Sequence, residues 1–437
     1  MDLQSTSQER KAAKAVLCGL NLKDTPEHYA VTMKELGELA KALGLSVAGE
    51  VVQNASTVTQ KTYIGSGKVE ELRMEIDADD ADIVIFNESL SPMQVRNLED
   101  ILDTEVMDRT GLILQIFQTR ARTRGAKLQV ESARLKYLLP RLQGMRRNLS
   151  RQGGGSGRLS NKGSGEEQIE LDRRHIEHRI AEVDRQLAQI AKEMDTQRAR
   201  RLTSGLPRVS LVGYTNAGKS TMMNTLLKLY GEENLQDEKQ VYEEDLLFAT
   251  LDTSIRRIAP DGHRSFLLSD TVGFIRDLPH SLVTAFRSTL EEIRYADLLL
   301  MIIDASDPEA EQQVKVTHST LKEIGADTIP VLYVYNKADR TGISYPKVSG
   351  DRIYMCAKSG EGVEELLGAV DNALGADSIS CEYLLPFSAG GLAADLRQRL
   401  GIDEPEYLPE GMLIRGVFGP ADRAKLDLAA ISGGPVG

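Results

Sequence analysis

Residues 213–220 read Gly-Tyr-Thr-Asn-Ala-Gly-Lys-Ser. A Gly-x4-Gly-Lys-Ser turn between a strand and a helix aims backbone N–H groups at phosphate oxygens, where the helix N-terminus already favours negative charge. The flanks fit that frame, with the short apolar run Val209–Val212 before it and a helix start over Ser220–Leu227 after it. Gly213, Asn216, Ala217, Gly218, Lys219, Ser220 and Thr221 then form a phosphate cradle. Lys219 reaches β/γ-phosphates as a catalytic cation, and Ser220 is placed to ligate Mg²⁺. A flexible glycine turn is the plainer explanation of such a string taken alone, so the case rests on the motifs downstream in the chain.

Asn336-Lys337-Ala-Asp339 follows the strand-like run Val331–Tyr335. A carboxylate at 339 can accept two hydrogen bonds from the N1–H and 2-amino edge of guanine, a pair that adenine does not offer. Cys356-Ala357-Lys358 follows a further strand-like run, where a backbone N–H can meet guanine O6. Asp270-Thr-Val-Gly273 follows Phe266–Leu268, as a metal-side Asp270 and a γ-phosphate-sensing Gly273 would. Thr250 lies between the cradle and Asp270, where a switch threonine would close over Mg²⁺ beside Ser220 and Asp270. Each motif alone is weak, and Thr250 alone would be a loop residue. Their order implies guanine-nucleotide binding with GTP hydrolysis, in which Lys219, Thr250 and Gly273 carry the catalytic roles.

Two positions bear on how water is activated. A Gln after Asp-x-x-Gly can orient the attacking water; here that place holds Phe274, which has no hydrogen-bonding group. The missing group must then come from a bound partner, a monovalent cation or another polar group. Asn216 stands in a Gly-x-x-Asn-x-Gly-Lys-Ser frame, where it either ligates a catalytic K⁺ or only hydrogen-bonds the loop.

The elements that position these residues belong to a multidomain α/β chain of 437 residues. We expect an N-terminal α/β domain (1–125), a helical hairpin (126–202), a P-loop domain with a doubly wound sheet (203–375) and a small C-terminal domain (376–437). In the first, β-prone and helical runs alternate (Ala15–Leu22, Pro26–Leu43, Ser46–Val52, Asp82–Phe86, Pro92–Leu102), which predicts a parallel sheet. Gly65-Ser-Gly-Lys68 reads as a helix start, because its spacing is wrong for a second phosphate loop and no Ser or Thr follows Lys68. Ile431–Gly437 reads as a loose tail.

In the hairpin, Leu128, Leu135, Leu138, Leu142, Met145 and Leu149 share one stripe, and Ile176, Ile180, Val183, Leu187, Ile190 and Met194 repeat at heptad-like spacing. Mutual packing explains both stripes. Pro140 should kink the first helix, and Ser164 with Glu167 should cap the start of the second. Residues 150–165 join them and hold six glycines. From 110 to 165 there are twelve Lys or Arg and one acid, Glu131, a balance of +11, whereas the whole chain carries −12, so the remainder carries −23. A solvated charged face is the ordinary meaning of a basic run. Segregation this sharp at a projecting glycine-rich tip favours a nucleic-acid backbone instead, met through Arg146, Arg147, Arg151, Arg158 and Lys162. Only Phe117 and Tyr137 could stack on bases there, so RNA shape is the expected target more than single-strand sequence.

Composition narrows the setting. No apolar run approaches the ~20 residues of a membrane span, Met1–Lys14 has no signal-peptide core, and Cys18, Cys356 and Cys381 form no disulfide or zinc pattern. A cytoplasmic monomer is expected.

Several strings then resemble the HflX GTPases. They are Thr62–Glu71, Phe86–Pro92 with Arg96–Glu99, Asp108-Arg-Thr110 with Leu112–Phe117, Leu139-Pro-Arg-Leu142, Leu149–Gly154, Asp172-Arg-Arg174, Phe248–Asp252, Asp270–Ile275 and Leu385–Ala389. The resemblance covers essentially the whole chain. It implies a GTPase that binds the large ribosomal subunit, reaches toward the peptidyl-transferase region with its hairpin tip and dissociates stalled or stressed ribosomes. A ribosome-assembly GTPase, or a signalling switch whose basic hairpin meets an acidic protein or anionic membrane, are the alternatives. This chain departs from the family in three places. Asn161–Glu167 lacks the Pro and Thr usual at the tip, Gln115 stands where Asp is common, and Cys356 replaces a Ser.

Overall fold

The structure is a computed structural model and describes residues 12–22, 24–142, 162–202, 206–231, 254–271, 273–276, 291–375 and 379–435. At 162–169, 195–202, 291, 420 and 421 the description extends to the backbone only. The chain forms two compact units, the first running to Ile190 and the second beginning at Ala191.

In the first unit, β1 (Lys14–Asn21), α1 (Pro26–Ala42), β2 (Ser46–Asn54), α2 (Ser66–Asp79), β3 (Ile83–Phe86), α3 (Pro92–Leu102) and β4 (Glu105–Asp108) alternate as expected. The strands form an all-parallel sheet in the order β2-β1-β3-β4. Every residue of β3 and all but the first of β1 are buried, the near-continuous apolar pattern of strands covered on both faces. Local chemistry sets the helix starts. Thr25 caps α1 ahead of Pro26, and Ser91 forms a capping box with Gln94 ahead of Pro92. Gly65-Ser-Gly-Lys68 opens α2, where Lys68 pairs with Glu71 at 2.7 Å.

Helices α4 (Arg109–Arg120), α5 (Arg124–Leu138) and α6 (Lys162–Leu202) come next in the chain. Within this unit α5 and α6 run antiparallel. Arg179 forks onto Glu131 at 2.7 and 3.1 Å, Ser132 Oγ donates to Asp184 Oδ1 at 2.8 Å, and Gly125 lies near Ile190. Of the two stripes, Leu128 and Val183 are buried, and Leu135, Leu138, Ile176, Ile180, Leu187 and Ile190 are half-buried between the helices and solvent. Pro140 does more than kink the first helix. Lacking an N–H and crowding the carbonyl one turn back, it ends α5 at Leu138, and a 3₁₀ turn takes Leu139–Arg141. The second helix is described from Lys162, and the side chains of Ser164 and Glu167, the expected capping pair, lie outside the described atoms. Met145 and Leu149 lie outside the described residues.

One buried carboxylate gathers three of the strings that carry the family resemblance. Asp108 caps α4 through Gly111 N–H (2.8 Å) and accepts Leu90 N–H (3.0 Å), Tyr137 OH (2.7 Å) and Arg141 Nη2 (3.0 Å). Fully buried, it is satisfied by four donors from four segments, as a buried charge must be. Arg109 beside it bonds Asn87 and Glu35. The root of the hairpin is thereby fastened to the end of β4.

In the second unit a seven-stranded sheet has the order β10-β11-β9-β8-β5-β7-β6. It comprises β5 (Arg208–Gly213), β6 (Ser254–Ile258), β7 (Phe266–Asp270), β8 (Leu298–Asp304), β9 (Val331–Asn336), β10 (Lys347–Ser349) and β11 (Arg352–Tyr354). The five central strands are parallel and the two edges antiparallel. Helices α7 (Lys219–Tyr230), α8 (Ala310–Glu323) and α9 (Val363–Leu374) accompany it. Val209, Leu211, Met222, Leu226, Leu300, Val334 and Leu366 share one core, so the strands that end at the candidate site are anchored by burial below it.

The remainder is a four-stranded antiparallel sheet, β13-β14-β12-β15, with two helices. It is built from β12 (Ile379–Leu385), α10 (Gly390–Leu400), β13 (Glu406–Leu408), β14 (Gly411–Phe418), α11 (Pro420–Ala429) and β15 (Ser432–Pro435). The expected loose tail is in fact β15, paired along β12. Its two glycines, at φ +158° and +159°, leave nothing to read as a strand in sequence, and the pairing comes from β12. This module docks on the β6–β7 connection. Ser265 donates from N–H to Arg399 O (2.9 Å) and from Oγ to Gln398 O (2.8 Å). Among the described residues no helix is long and apolar enough to cross a membrane.

Candidate functional site

Three parallel strands, β5, β8 and β9, end side by side, and β7 ends against β5 with Asp270 in register with Leu211. Loops at the carboxyl ends of such strands form the usual ligand crevice of open α/β sheets. Gly213 leaves β5 at φ +138°, and a Cβ there would stand 2.3 Å from the Ile302 carbonyl oxygen. Gly218 precedes α7 at φ +98°, and its Cβ would stand 2.1 Å from Asn336 Nδ2. Only glycine fits either place. The first turn of α7, Lys219 to Thr221, opens at this crevice, and a helix N-terminus favours an anion.

Lys219 is buried. Its ammonium donates to the carbonyls of Gly213 (3.1 Å) and Tyr214 (2.7 Å). Burial pulls its pKa down to about 8, with the Asp270 charge opposing. Ser220 Oγ donates to Asp270 Oδ2 at 3.0 Å, so the hydroxyl and carboxylate assigned to a metal lie together beside that ammonium. These hard oxygen donors suit Mg²⁺.

Gly273 packs onto the cradle, where a Cβ would meet Thr215 Cγ2 at 2.8 Å and Lys219 Nζ at 3.0 Å. Phe274 then runs parallel to Tyr214. Its N–H donates to Gly213 O (3.1 Å), its carbonyl accepts from Thr215 N–H (2.8 Å), and the Tyr214 hydroxyl accepts from Arg276 N–H (2.7 Å). The Phe274 ring is buried. Its backbone fastens the segment after Asp270 to the phosphate loop, and its side chain offers nothing to a water.

On the other side, Asn336 is a brace. Its Nδ2 donates to Ala217 O (2.9 Å), and its Oδ1 accepts Ala357 N–H (2.9 Å). Thr225 Oγ1 on α7 holds Ala357 O at 2.7 Å. A guanine O6 arriving at Ala357 therefore shares a donor that Asn336 already uses. Cys356 is buried, and its N–H is taken by Glu361 O at 3.0 Å. Asp339 and Lys358 are exposed, as groups that meet a base at the surface would be. Lys337, at φ +59°, reaches back so that its ammonium donates to Asn216 O (2.7 Å) and Asp304 Oδ2 (2.8 Å). Asn216 itself is exposed at φ +60°.

The structure thus brings together Gly213, Asn216, Ala217, Gly218, Lys219, Ser220, Thr221, Asp270, Gly273, Asn336, Lys337, Asp339, Cys356, Ala357 and Lys358 around one crevice. Thr250 lies outside the described residues, as do Arg146, Arg147, Arg151 and Arg158, and the side chain of Lys162 is not described. Sequence reasoning passed over Tyr214, Thr225 and Asp304. Only Asp304 carried a signal, as the first polar residue after the apolar strand Leu298–Ile303.

Comparison with known proteins bears on this crevice and beyond. Residues 30–118 match the family described as "GTP-binding GTPase N-terminal", 120–201 "GTP-binding GTPase Middle Region", and 208–337 "50S ribosome-binding GTPase". The chain is 42% identical over 384 residues to a protein named GTPase HflX from Caldanaerobacter subterraneus subsp. tengcongensis, covering 88% of this chain and 86% of that one. It is 41% identical over 401 residues to a GTPase HflX of Alkalihalophilus pseudofirmus, covering 92% of each. A crystal structure of a GTP-binding protein from Sulfolobus solfataricus in complex with GDP aligns at 23% identity with a TM-score of 0.42, over 83% of this chain and 99% of that one.

Proposed function

Because the chain belongs to the HflX family of GTPases, we propose that it binds the large ribosomal subunit and couples GTP binding and hydrolysis to dissociation or rescue of ribosomes under stress. The observation that carries this reading is the match of residues 208–337 to a 50S ribosome-binding GTPase, on a chain whose +11 charge segment ends in a glycine-rich tip. The hairpin, assigned to 126–202, is the reaching element, and rRNA phosphates are the partner of Arg146, Arg147, Arg151, Arg158 and Lys162. Pelleting with purified large subunits tests it: the chain should co-sediment far better with a non-hydrolysable GTP analogue than with GDP. Equal, weak pelleting in both states would remove the ribosome from the proposal.

In the proposed mechanism Lys219 leaves the Gly213 and Tyr214 carbonyls for β/γ-phosphate oxygens, which restore its full charge. Ser220, Thr250 and Asp270 hold Mg²⁺, which when bound neutralises charge on the phosphates. Gly273 presents its N–H to the γ-phosphate. Phe274 supplies no water-orienting group, so turnover of the free chain is slow and a partner completes the site.

Asn216 supports a monovalent cation as part of that completion. Its side chain is exposed and makes no hydrogen bond to a described residue, so the loop does not use it internally. GTP turnover is expected to be faster in K⁺ than in Na⁺ buffer and to rise with large subunits in both. Equal rates in the two salts would remove the cation, and no rise with subunits would remove the partner-completed site.

A further inference from the structure

The Lys337 ammonium lies between the Asn216 carbonyl (2.7 Å) and Asp304 Oδ2 (2.8 Å), and neither guanine-nucleotide motif includes Asp304. Asp304 is the last residue of β8, in register with Asn336 on β9, and the next N–H, of Ala305, donates to Asn336 O at 2.9 Å. Its second oxygen, Oδ1, is fixed by the N–H (3.0 Å) and hydroxyl (2.6 Å) of Ser306. The Lys337 and Asp304 side chains are only 17% and 16% exposed, so this pair is sheltered from solvent screening more than a surface ion pair is. Burial pushes the Asp304 carboxyl up, but its bonds to Lys337 and Ser306 outweigh that and hold it below the ordinary carboxylate range.

We propose that Asp304 is a positioning residue for nucleotide retention. Acting through Lys337, it ties Asn216 of the phosphate loop to the turn that carries Asp339 and so fixes the spacing between the phosphate and base subsites. This rests on the nucleotide spanning those two motifs. Without the carboxylate, the Lys337 ammonium keeps one neutral carbonyl and loses the partner that holds it down. The loop and the turn then move independently. GDP and GTP both occupy both subsites, so both should leave faster. The groups around the γ-phosphate (Lys219, Ser220, Asp270 and Gly273) do not touch Asp304 through any described hydrogen bond, so the chemical step should be spared.

The test is release of fluorescent GDP and of a non-hydrolysable GTP analogue from the full chain, with steady-state turnover alongside. A charge-assisted hydrogen bond contributes enough that Asp304→Ala should speed release of both about tenfold. KM should rise by a similar factor while kcat is unchanged. Asp304→Asn keeps an acceptor without the charge and should fall between. Ser306→Ala frees the carboxylate and should give a smaller rise. Lys337→Met should match Asp304→Ala, and the double variant should release no faster than either single one. Unchanged release in a normally melting Asp304→Ala protein, or additive effects with Lys337→Met, would overturn the proposal. Should Asp304→Ala fold poorly, Asp304→Asn and Ser306→Ala decide in the same way. Asp339→Asn run in parallel separates the two layers: if it too leaves release unchanged, the nucleotide placement is wrong, and if it alone accelerates release, only the role of Asp304 falls.

Discussion

Asp339→Asn is expected to lower GTP affinity about a hundredfold, the loss of two hydrogen bonds to a carboxylate at roughly 1–3 kcal/mol each. Asp339 is exposed on the 3₁₀ turn Ala338–Arg340, and no described hydrogen bond of the fold depends on its side chain. The loss should therefore fall on the base and not on stability, and thermal unfolding without nucleotide should be unchanged. The new amide can donate where the carboxylate accepted. Xanthine carries an oxo group in place of the 2-amino group, so xanthosine triphosphate should regain much of what GTP loses. Calorimetric titration with GTP, xanthosine triphosphate and ATP reads all three at once. A wild-type chain that bound ATP as well as GTP at this crevice would refute the base assignment before any variant was made.

Neutralising Arg146, Arg147, Arg151, Arg158 and Lys162 together should weaken large-subunit binding on the order of a thousandfold at moderate salt. The same change should flatten the dependence of log affinity on log salt by about four, if each meets one phosphate. Affinity for GTP should not change, because none of the five belongs to the nucleotide crevice. Pelleting across a KCl series gives both numbers. An unaltered slope would mean that the basic run is only a solvated surface.

Much of the fold was legible because the strands announce themselves. Val209–Val212, Leu298–Ile303 and Val331–Tyr335 are apolar runs of strand length, each bounded by residues with distinctive chemistry. The crevice was legible for the same reason: glycine, lysine and carboxylate positions at strand ends have few other uses. What escaped depended on contacts between distant segments. Asp304 was a single acid after a strand, and only Lys337 folded back at φ +59° gives it a role. Tyr214 and Thr225 hold backbone atoms, and no sequence pattern distinguishes such a hydroxyl from an idle one. At β15 the glycines hid a strand, because its partner, β12, lies some fifty residues away in the chain and supplies the pairing.

The contact between Gly218 and Asn336 reaches beyond this single chain. With room for no atom between them, and with Asn336 also bonded to Ala217 and Ala357, the phosphate loop and the base-reading turn share one hinge pin. A lineage cannot enlarge residue 218 without displacing Asn336, nor shift Asn336 without loosening the loop. A change in either motif is therefore felt by the other, although the two stretches lie more than a hundred residues apart in the chain.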